Sequence, residues 1–405
     1  MSSQLSVIFK PTSRCNLRCH YCYAARERES FDGIMSLDEA KKAFDWISLY
    51  CQKLGVRDVT VIWHGGEPLL MGKDFIEECV DYYTSNLKKD AINVRNQIQT
   101  NLTLATDDFI PLLKKSFGSR IGFSLDYNSE YRVFPDGRCA NNAIIERAKA
   151  LKKGGLNLGA ITMMTSNNIG KMGELYSFFK DLSIPFRLNR MFPTTFEETS
   201  ELSNSVTAEE YANAVCELFD IWLNDPNPAF VETVHGAVLA YITDVCKLCS
   251  INGRCSDSFL CIAPNGVLLP CGRFDSDSYS IGNIYNDTPE QVLRKKSEIA
   301  KQSNNNTLRE RCYTCQWKRL CIAGCLHSRL LGWFNDECTT NKIIWGHLEK
   351  RLTPLGITRG IVSNINTNDA TKIMSLFLKS YETTSLGMNP ALFRGSVNEK
   401  GNLST

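Results

Sequence analysis

Nowhere in the 405 residues is there an uncharged apolar run of about 18 positions, so no helix that spans a membrane is expected. Charge of one sign is also missing. A formal net charge of +2, with no basic block interleaved with aromatics, gives no footprint for nucleic acid. The N-terminus, MSSQLSVIFKPTSRC, lacks a charged segment leading into a long apolar stretch, so no secretory signal is read and a cytoplasmic protein is expected. There is no internal repeat. At 43% hydrophobic residues the chain can bury a large core, enough for two domains or for one large barrel with an appendage.

What the chain has in excess is cysteine, 17 residues in all. A reducing compartment makes a disulfide framework a poor explanation, so metal or metal–sulfur ligation is the better reading. The number exceeds what one site needs.

Short apolar runs alternate with helical periodicity about six times along the first half. LSVIF (5–9), VTVIW (59–63), QIQTN (97–101), RIGFSLD (120–126), LGAITMMT (158–165) and FRLNRM (186–191) read as strands. Between them lie amphipathic stretches, the first opened by a capping box at Ser36-Leu37-Asp38-Glu39. This alternation predicts an α/β fold with a parallel sheet, a partial (β/α)6 TIM-like barrel. Polar motifs fall where strands end: CNLRCHYC, HGGEP, QTN and SLD. Such ends carry the chemistry in barrels of this kind.

A second capping box, Thr207 to Glu210, opens another helix that stops at Pro226 and Pro228. Beyond it the composition shifts to cysteines and turn residues, as in a small region held by metals more than by a core. The expected domains are a barrel at 1–230, a cysteine-rich region at 231–345, and a tail at 346–405 with one helix, DATKIMSLFLKSY.

Cys15, Cys19 and Cys22 stand at C-x3-C-x2-C spacing in one short loop. Structural zinc takes four ligands, usually from cysteine pairs, and His20 sits inside the same turn, poorly placed to be a fourth. Three thiolates on a four-iron cluster would leave one iron without a protein ligand, open to bind something else. Gly65 and Gly66, about 40 positions further on at a strand end, would let backbone approach a ligand closely.

The stretch KPTSRCNLRCHYCY (10–23), with WHGGEPLL (63–70), QTN (99–101), SLD (124–126) and RVFPDGR (132–138), resembles the radical S-adenosylmethionine (SAM) enzymes. The resemblance covers the first 200 residues or so. It implies a SAM-binding four-iron cluster on Cys15, Cys19 and Cys22, whose open iron chelates SAM. It further implies that Tyr21 flanks the cluster near the adenine and that Gly65, Gly66, Glu67 and Pro68 meet the SAM amino group. Gln99, Asn101, Ser124 and Asp126 would face the ribose and carboxylate, and Arg132 the carboxylate.

Further on, CIAPNGVLLPC (261–271) and CYTCQWKRLCIAGC (312–325) resemble the SPASM extension of radical SAM enzymes that modify peptides and proteins. The resemblance implies two auxiliary four-iron clusters, making three in all. Cys255, Cys261, Cys271 and Cys325 would hold one, and Cys312, Cys315, Cys321 and Cys338 the other. Cys246 and Cys249 each compete with Cys255, while Cys51, Cys79, Cys139 and Cys216 read as small apolar residues.

Anaerobic sulfatase maturases share this layout and make formylglycine from cysteine or serine. They commonly carry an aspartate after the cysteine that Cys271 matches, where a general base is needed; here Gly272 follows. The sequence reading therefore favours a maturase that cross-links a precursor peptide, most simply by a cyclophane or a thioether, with the catalytic base unassigned. An external electron donor such as a flavodoxin or ferredoxin is the expected second partner. A non-catalytic zinc-ribbon interaction protein is the alternative from another class.

Overall fold

The computed structural model describes residues 4–25, 33–191, 206–246, 248–249, 251, 258–274, 276–303, 306–321 and 323–361. Cys255 and the expected helix at 369–381 lie outside these residues. The chain forms two compact units that interleave in sequence, one from residues 1–158, 191–203 and 254–306, the other from 159–190, 204–253 and 307–405.

The first unit is built on a mainly parallel sheet. Strand β1 (Gln4–Phe9) pairs in parallel with β2 (Asp58–Trp63), and β2 with β3 (Asn93–Thr100). β3 continues to β4 (Arg120–Ser124) through Gln99↔Gly122 and Thr100↔Phe123. On its other side β1 takes β7 (Phe259–Ile262) in parallel, and β7 turns back through β8 (Val267–Leu269) to β9 (Gly282–Asn283). Alternation places Leu5, Val7 and Phe9 in the interior. Between the parallel strands run α1 (Leu37–Leu54), α2 (Lys73–Lys89) and α3 (Ile110–Phe117), and α4 (Asn141–Lys153) follows β4.

The helix α1 forms where the sequence signals it. The Ser36 side chain accepts from the Glu39 amide, Glu39 reaches back to the cap, and the helix stops at Gly55 with φ +67°. Its buried face packs through Phe44, whose ring stacks on Tyr83 of α2 at 4.0 Å and lies 4.8 Å from Phe9. The Trp63 indole donates to the Tyr83 hydroxyl at 3.1 Å, so both large polar aromatics are buried with a partner. Each such side chain contributes roughly 1.5–3 kcal/mol by leaving water.

The second unit holds most of β5 (Asn157–Met164), which pairs in parallel with β6 (Phe186–Arg190) across the connecting helix α5 (Met172–Asp181). Helix α6 (Ala208–Asn224) starts at the Thr207–Glu210 capping box, and α7 (Glu232–Thr243) follows. The cysteine-rich stretch forms short helices, α8 (Asn306–Tyr313), α9 (Lys318–Cys321) and α10 (Leu326–Leu330), before the long α11 (Phe334–Leu352). Helix α11 is tied to α6 by Thr340, which donates to the Ala208 carbonyl, and by Arg351 and His347, which both reach Asp220. No helix among the described residues is long and apolar enough to cross a membrane.

Candidate functional site

Because β1 to β4 are parallel and in register, their C-terminal ends lie along one edge. The loops that carry CNLRCHYC, HGGEP, QTN and SLD all start there. The cysteine loop after β1 is shaped by backbone bonds: Arg18 donates to the Val133 carbonyl at 2.7 Å, His20 to Tyr131 at 2.9 Å and Cys22 to Cys19 at 3.1 Å. Leu17, between the first two cysteines, is buried and anchors the turn.

The three thiols are half-buried. Burial pushes the Cys15 thiol up to about 11, opposed by the Leu17 amide and reinforced by the Glu67 carboxylate and the other two cysteines. Cys19 is raised by burial and drawn back by Arg132. Donors are aimed at the sulfurs. The Leu17 amide lies 3.4 Å and Asn101 Nδ2 3.8 Å from Cys15 Sγ, and Arg132 Nη1 lies 3.9 Å from Cys19 Sγ. Donors to sulfur stabilise thiolate and tune a bound cluster, so this loop suits iron–sulfur ligation. Among the described residues no three His, Cys, Asp or Glu side chains converge on a point that one metal ion could occupy. A four-iron cluster would take each thiolate on a different iron, so it does not need the three sulfurs to meet at one point.

Next comes the glycine pair. Gly65 has φ +107°, and a Cβ there would fall 2.3 Å from the Thr12 carbonyl oxygen. At Gly66 a Cβ would fall 2.0 Å from the Arg14 carbonyl oxygen. The close approach is therefore first of all to the cysteine loop itself. The Gly66 amide donates to Thr12 at 2.9 Å and the Glu67 amide to Arg14 at 2.8 Å, zipping the two loops together. With those amides committed, what HGGEP can offer an ammonium group is carbonyl oxygen.

Several side chains read from the sequence as cofactor contacts have work inside the protein. Glu67 is buried; Oε1 accepts from Thr100 Oγ1 at 2.7 Å and the Leu69 amide at 3.0 Å, and Oε2 from the Asn101 amide at 2.7 Å. Burial raises its carboxyl to about 7 against those three donors. Pro68 is buried at the first position of the short 3-10 helix that Glu67 caps. Asn101 bonds Asn16 Oδ1 at 2.9 Å and accepts from Thr103, so it braces the cysteine loop. Asp126 takes the Tyr21 hydroxyl and the Arg132 guanidinium, the latter at 3.1 Å with side chains 0% and 8% exposed. That guanidinium also lies over the Tyr21 ring, 5.4 Å from its centroid. By contrast Gln99 and Ser124 are half-buried at neighbouring strand ends, where the Gln99 amide donates to the Ser124 hydroxyl at 3.0 Å.

The structure adds residues that the sequence did not single out. Asn16 and Thr103 bond at 2.7 Å, and Thr12 Oγ1 accepts the Arg14 amide at 3.0 Å. Lys10, 1% exposed at the end of β1, reaches the Gly272 carbonyl at 3.4 Å. A buried ammonium beside the residue after Cys271 has no sequence signal beyond its place ahead of the cysteines. Cys261 is buried on β7 opposite Ile8, and Cys271 is half-buried past β8.

In the second unit Cys312, Cys315, Cys321 and Cys338 line one cavity of about 170 Å³. They feel one another: the Cys312 thiol is raised by burial and then by Cys338 and Cys315, and Cys321 is pushed up to about 12 by burial with Cys312 and Cys338 adding to it. Asn341 Nδ2 donates to Cys321 Sγ at 3.2 Å. Four thiols around one void with an amide donor on a sulfur fit a four-thiolate cluster. Cys325 is buried at the cap of α10. Cys246, buried, lies within electrostatic reach of Cys321, and Cys249 is exposed. Cys51, Cys79 and Cys216 are buried on helices, where they pack as small apolar residues; Cys139 is exposed.

The Radical SAM superfamily model matches residues 9–179, which contain every element of the first site. A cysteine-type anaerobic sulfatase-maturating enzyme of Clostridium novyi is 29% identical over 352 residues, 80% of this chain and 88% of that one. A serine-type anaerobic sulfatase-maturating enzyme of Bacteroides thetaiotaomicron is 24% identical over 375 residues, 85% of this chain and 88% of that one. The solved structure of native anSMEcpe with bound AdoMet and Kp18Cys peptide superposes with a TM-score of 0.73 at 25% identity, covering 87% of this chain and 99% of that one. The family implies one four-iron cluster and SAM, which the three-cysteine loop and its sulfur-directed donors fit. Residues 9–179 form a radical SAM domain, and over most of its length the α/β chain is similar to the anaerobic sulfatase-maturating enzymes.

Proposed function

We propose that this enzyme is a maturase of the anaerobic sulfatase-maturating type, oxidising a cysteine or serine side chain of a peptide or protein substrate. The similarity to the Clostridium novyi enzyme carries this reading, because it covers 80% of this chain and 88% of that one. When bound, the cluster and SAM supply a 5′-deoxyadenosyl radical that removes a hydrogen atom from the substrate.

The chain's own residues prepare that event. Cys15, Cys19 and Cys22 would ligate the cluster, with Asn101 and Arg132 supporting their sulfurs. Gln99 and Ser124 would orient the ribose, and the carbonyls of the Gly65-Gly66 turn would hold the ammonium. Cys312, Cys315, Cys321 and Cys338 would carry an auxiliary cluster that accepts the electron left when the substrate radical is oxidised. A SPASM-type extension at 231–345 and three clusters in all belong to this proposal.

One observation favours a second reading, the cross-linking of a precursor peptide. Gly272 follows Cys271, so no carboxylate stands there to take a proton from a substrate heteroatom, and a Cβ at Gly272 would meet Ile8 Cδ1 at 3.0 Å. An aromatic acceptor in a cyclophane needs no such deprotonation.

The two are separated by incubating the reduced enzyme and SAM, without oxygen, with a peptide carrying a sulfatase active-site cysteine or serine and with an aromatic-rich peptide. Formylglycine on the first peptide supports the maturase. Loss of two hydrogens from the second alone, with fragment ions missing between an aromatic and a nearby residue, supports the cross-link and overturns it.

A further inference from the structure

Lys10 follows the last residue of β1 and continues its ladder, with the Lys10 amide donating to the Ile262 carbonyl at 3.0 Å. Side chains alternate along a strand, so Lys10 falls on the same face as Ile8. Ile8 stands directly opposite Cys261 on β7. In the β7–β8 hairpin Leu269 is opposite Cys261, and Cys271 follows Leu269 by two positions. One hairpin therefore brings both cysteines to the strand end that carries Lys10. The ammonium itself reaches the Gly272 carbonyl, one residue past Cys271, at 3.4 Å, and lies 5.9 Å from the centroid of the Tyr23 ring. Cys261 is 0% and Lys10 1% exposed. Gly272 has no side chain, so no carboxylate at that position offsets the charge.

We propose that Lys10 sets the reduction potential of the auxiliary cluster that Cys261 and Cys271 would help to hold. The inference rests on reading those two cysteines as ligands of one of the three clusters. A four-iron cluster on thiolates carries net negative charge, and one more electron makes it more negative. A fixed positive charge nearby stabilises the reduced form more than the oxidised one and so raises the potential. Such potentials follow net charge, hydrogen bonds to sulfur and exposure, and the field of a buried charge is little screened by water or salt. A raised potential suits a cluster on the route of the electron that leaves the substrate radical. The radical loses one electron, this cluster gains it and passes it to the acceptor cluster named above, and Lys10 keeps its proton throughout. Two other roles fit less well. At 1% exposure the ammonium is out of reach of a peptide substrate. At 3.4 Å its bond to Gly272 is longer than an ordinary N–H···O bond and a weak tie for the turn.

The test is a redox titration, followed by electron paramagnetic resonance, of the reconstituted holoenzyme and its Lys10→Met, Lys10→Gln and Lys10→Arg variants. The signal lost in a Cys261→Ala/Cys271→Ala protein identifies the cluster concerned. In both neutral variants the reduced-to-oxidised ratio of that cluster at a fixed poise should fall about tenfold or more, a shift of about 59 mV or more to lower potential for one electron. Lys10→Arg keeps the charge and should keep the midpoint. An unchanged midpoint in the neutral variants overturns the proposal. So does a shift in Lys10→Arg as large as theirs, which would make shape rather than charge the cause. Loss of that cluster's iron from both neutral variants also overturns it, in favour of a structural role. The cluster reading is checked separately by iron content. Wild-type iron in the Cys261→Ala/Cys271→Ala protein sinks that reading, whereas iron lost there together with a midpoint unmoved by Lys10 sinks the tuning alone.

Discussion

Glu67 Oε2 accepts the Asn101 amide at 2.7 Å, so a buried carboxylate ties the loop after β2 to the end of β3. Since Asn101 in turn braces Asn16 and approaches Cys15 Sγ, the fold holds the cysteine loop through a chain of polar contacts. Three donors converge on Glu67. In Glu67→Gln one of them must face an amide NH2, and the expected loss is about 1–3 kcal/mol of stability with a weaker hold on SAM. Urea unfolding and SAM titration measure the two. A variant as stable as wild type, with unchanged SAM affinity, contradicts this account of the carboxylate.

Gly66→Ala should prevent assembly of the first cluster. The added Cβ meets the Arg14 carbonyl, a backbone atom that cannot swing away, one residue before Cys15. Anaerobic reconstitution should leave the variant short by about one four-iron cluster and unable to cleave SAM. Gly173→Ala is the control: it sits in α5 with nothing within 4 Å, and should be neutral or stabilising by up to about 1 kcal/mol.

Removing Arg132 should be worse than removing both it and its partner. Arg132→Met leaves the fully buried Asp126 carboxylate without its guanidinium, an expected loss of about 3–5 kcal/mol. The double variant Arg132→Met/Asp126→Asn keeps an acceptor for the Tyr21 hydroxyl and should recover part of that loss. A double-mutant cycle in urea reads the coupling, and strictly additive single effects would refute a tight pair.

Acid should weaken the second unit through His235. Its ring is buried between Phe230, stacked at 4.3 Å, and Trp222 at 4.9 Å, and burial lowers its pKa to about 4. The unfolded chain takes up a proton near the ordinary value of about 6.5 while the folded chain resists. Stability should therefore fall as pH drops from about 6.5 to about 4, by up to about 3 kcal/mol. Unfolding midpoints of wild type and His235→Phe across that range test it; equal slopes would show that His235 is not the group responsible.

Much of the first site is legible in the residues alone. The C-x3-C-x2-C spacing of Cys15, Cys19 and Cys22 and the Gly65-Gly66 pair are local patterns, and each falls at the end of an apolar run that does form a strand. Ser36 and Thr207 announce helix starts by a rule that spans only four residues, and both caps form. The roles of Glu67, Asn101, Asp126 and Arg132 are not local. Whether a carboxylate faces a ligand or the backbone depends on which strand end lies beside it, and residues 34 and 105 positions apart settle that here.

The first six strands' places along the chain, the caps and the three-thiol loop were determined by the chain's own periodicity and spacing, because those interactions act within a few residues. Only the tertiary structure decided that Gly66 packs on Arg14 and that Lys10 reaches Gly272. These contacts join segments far apart in the chain. Their energies come from burial and charge that exist only once the strands and helices have packed.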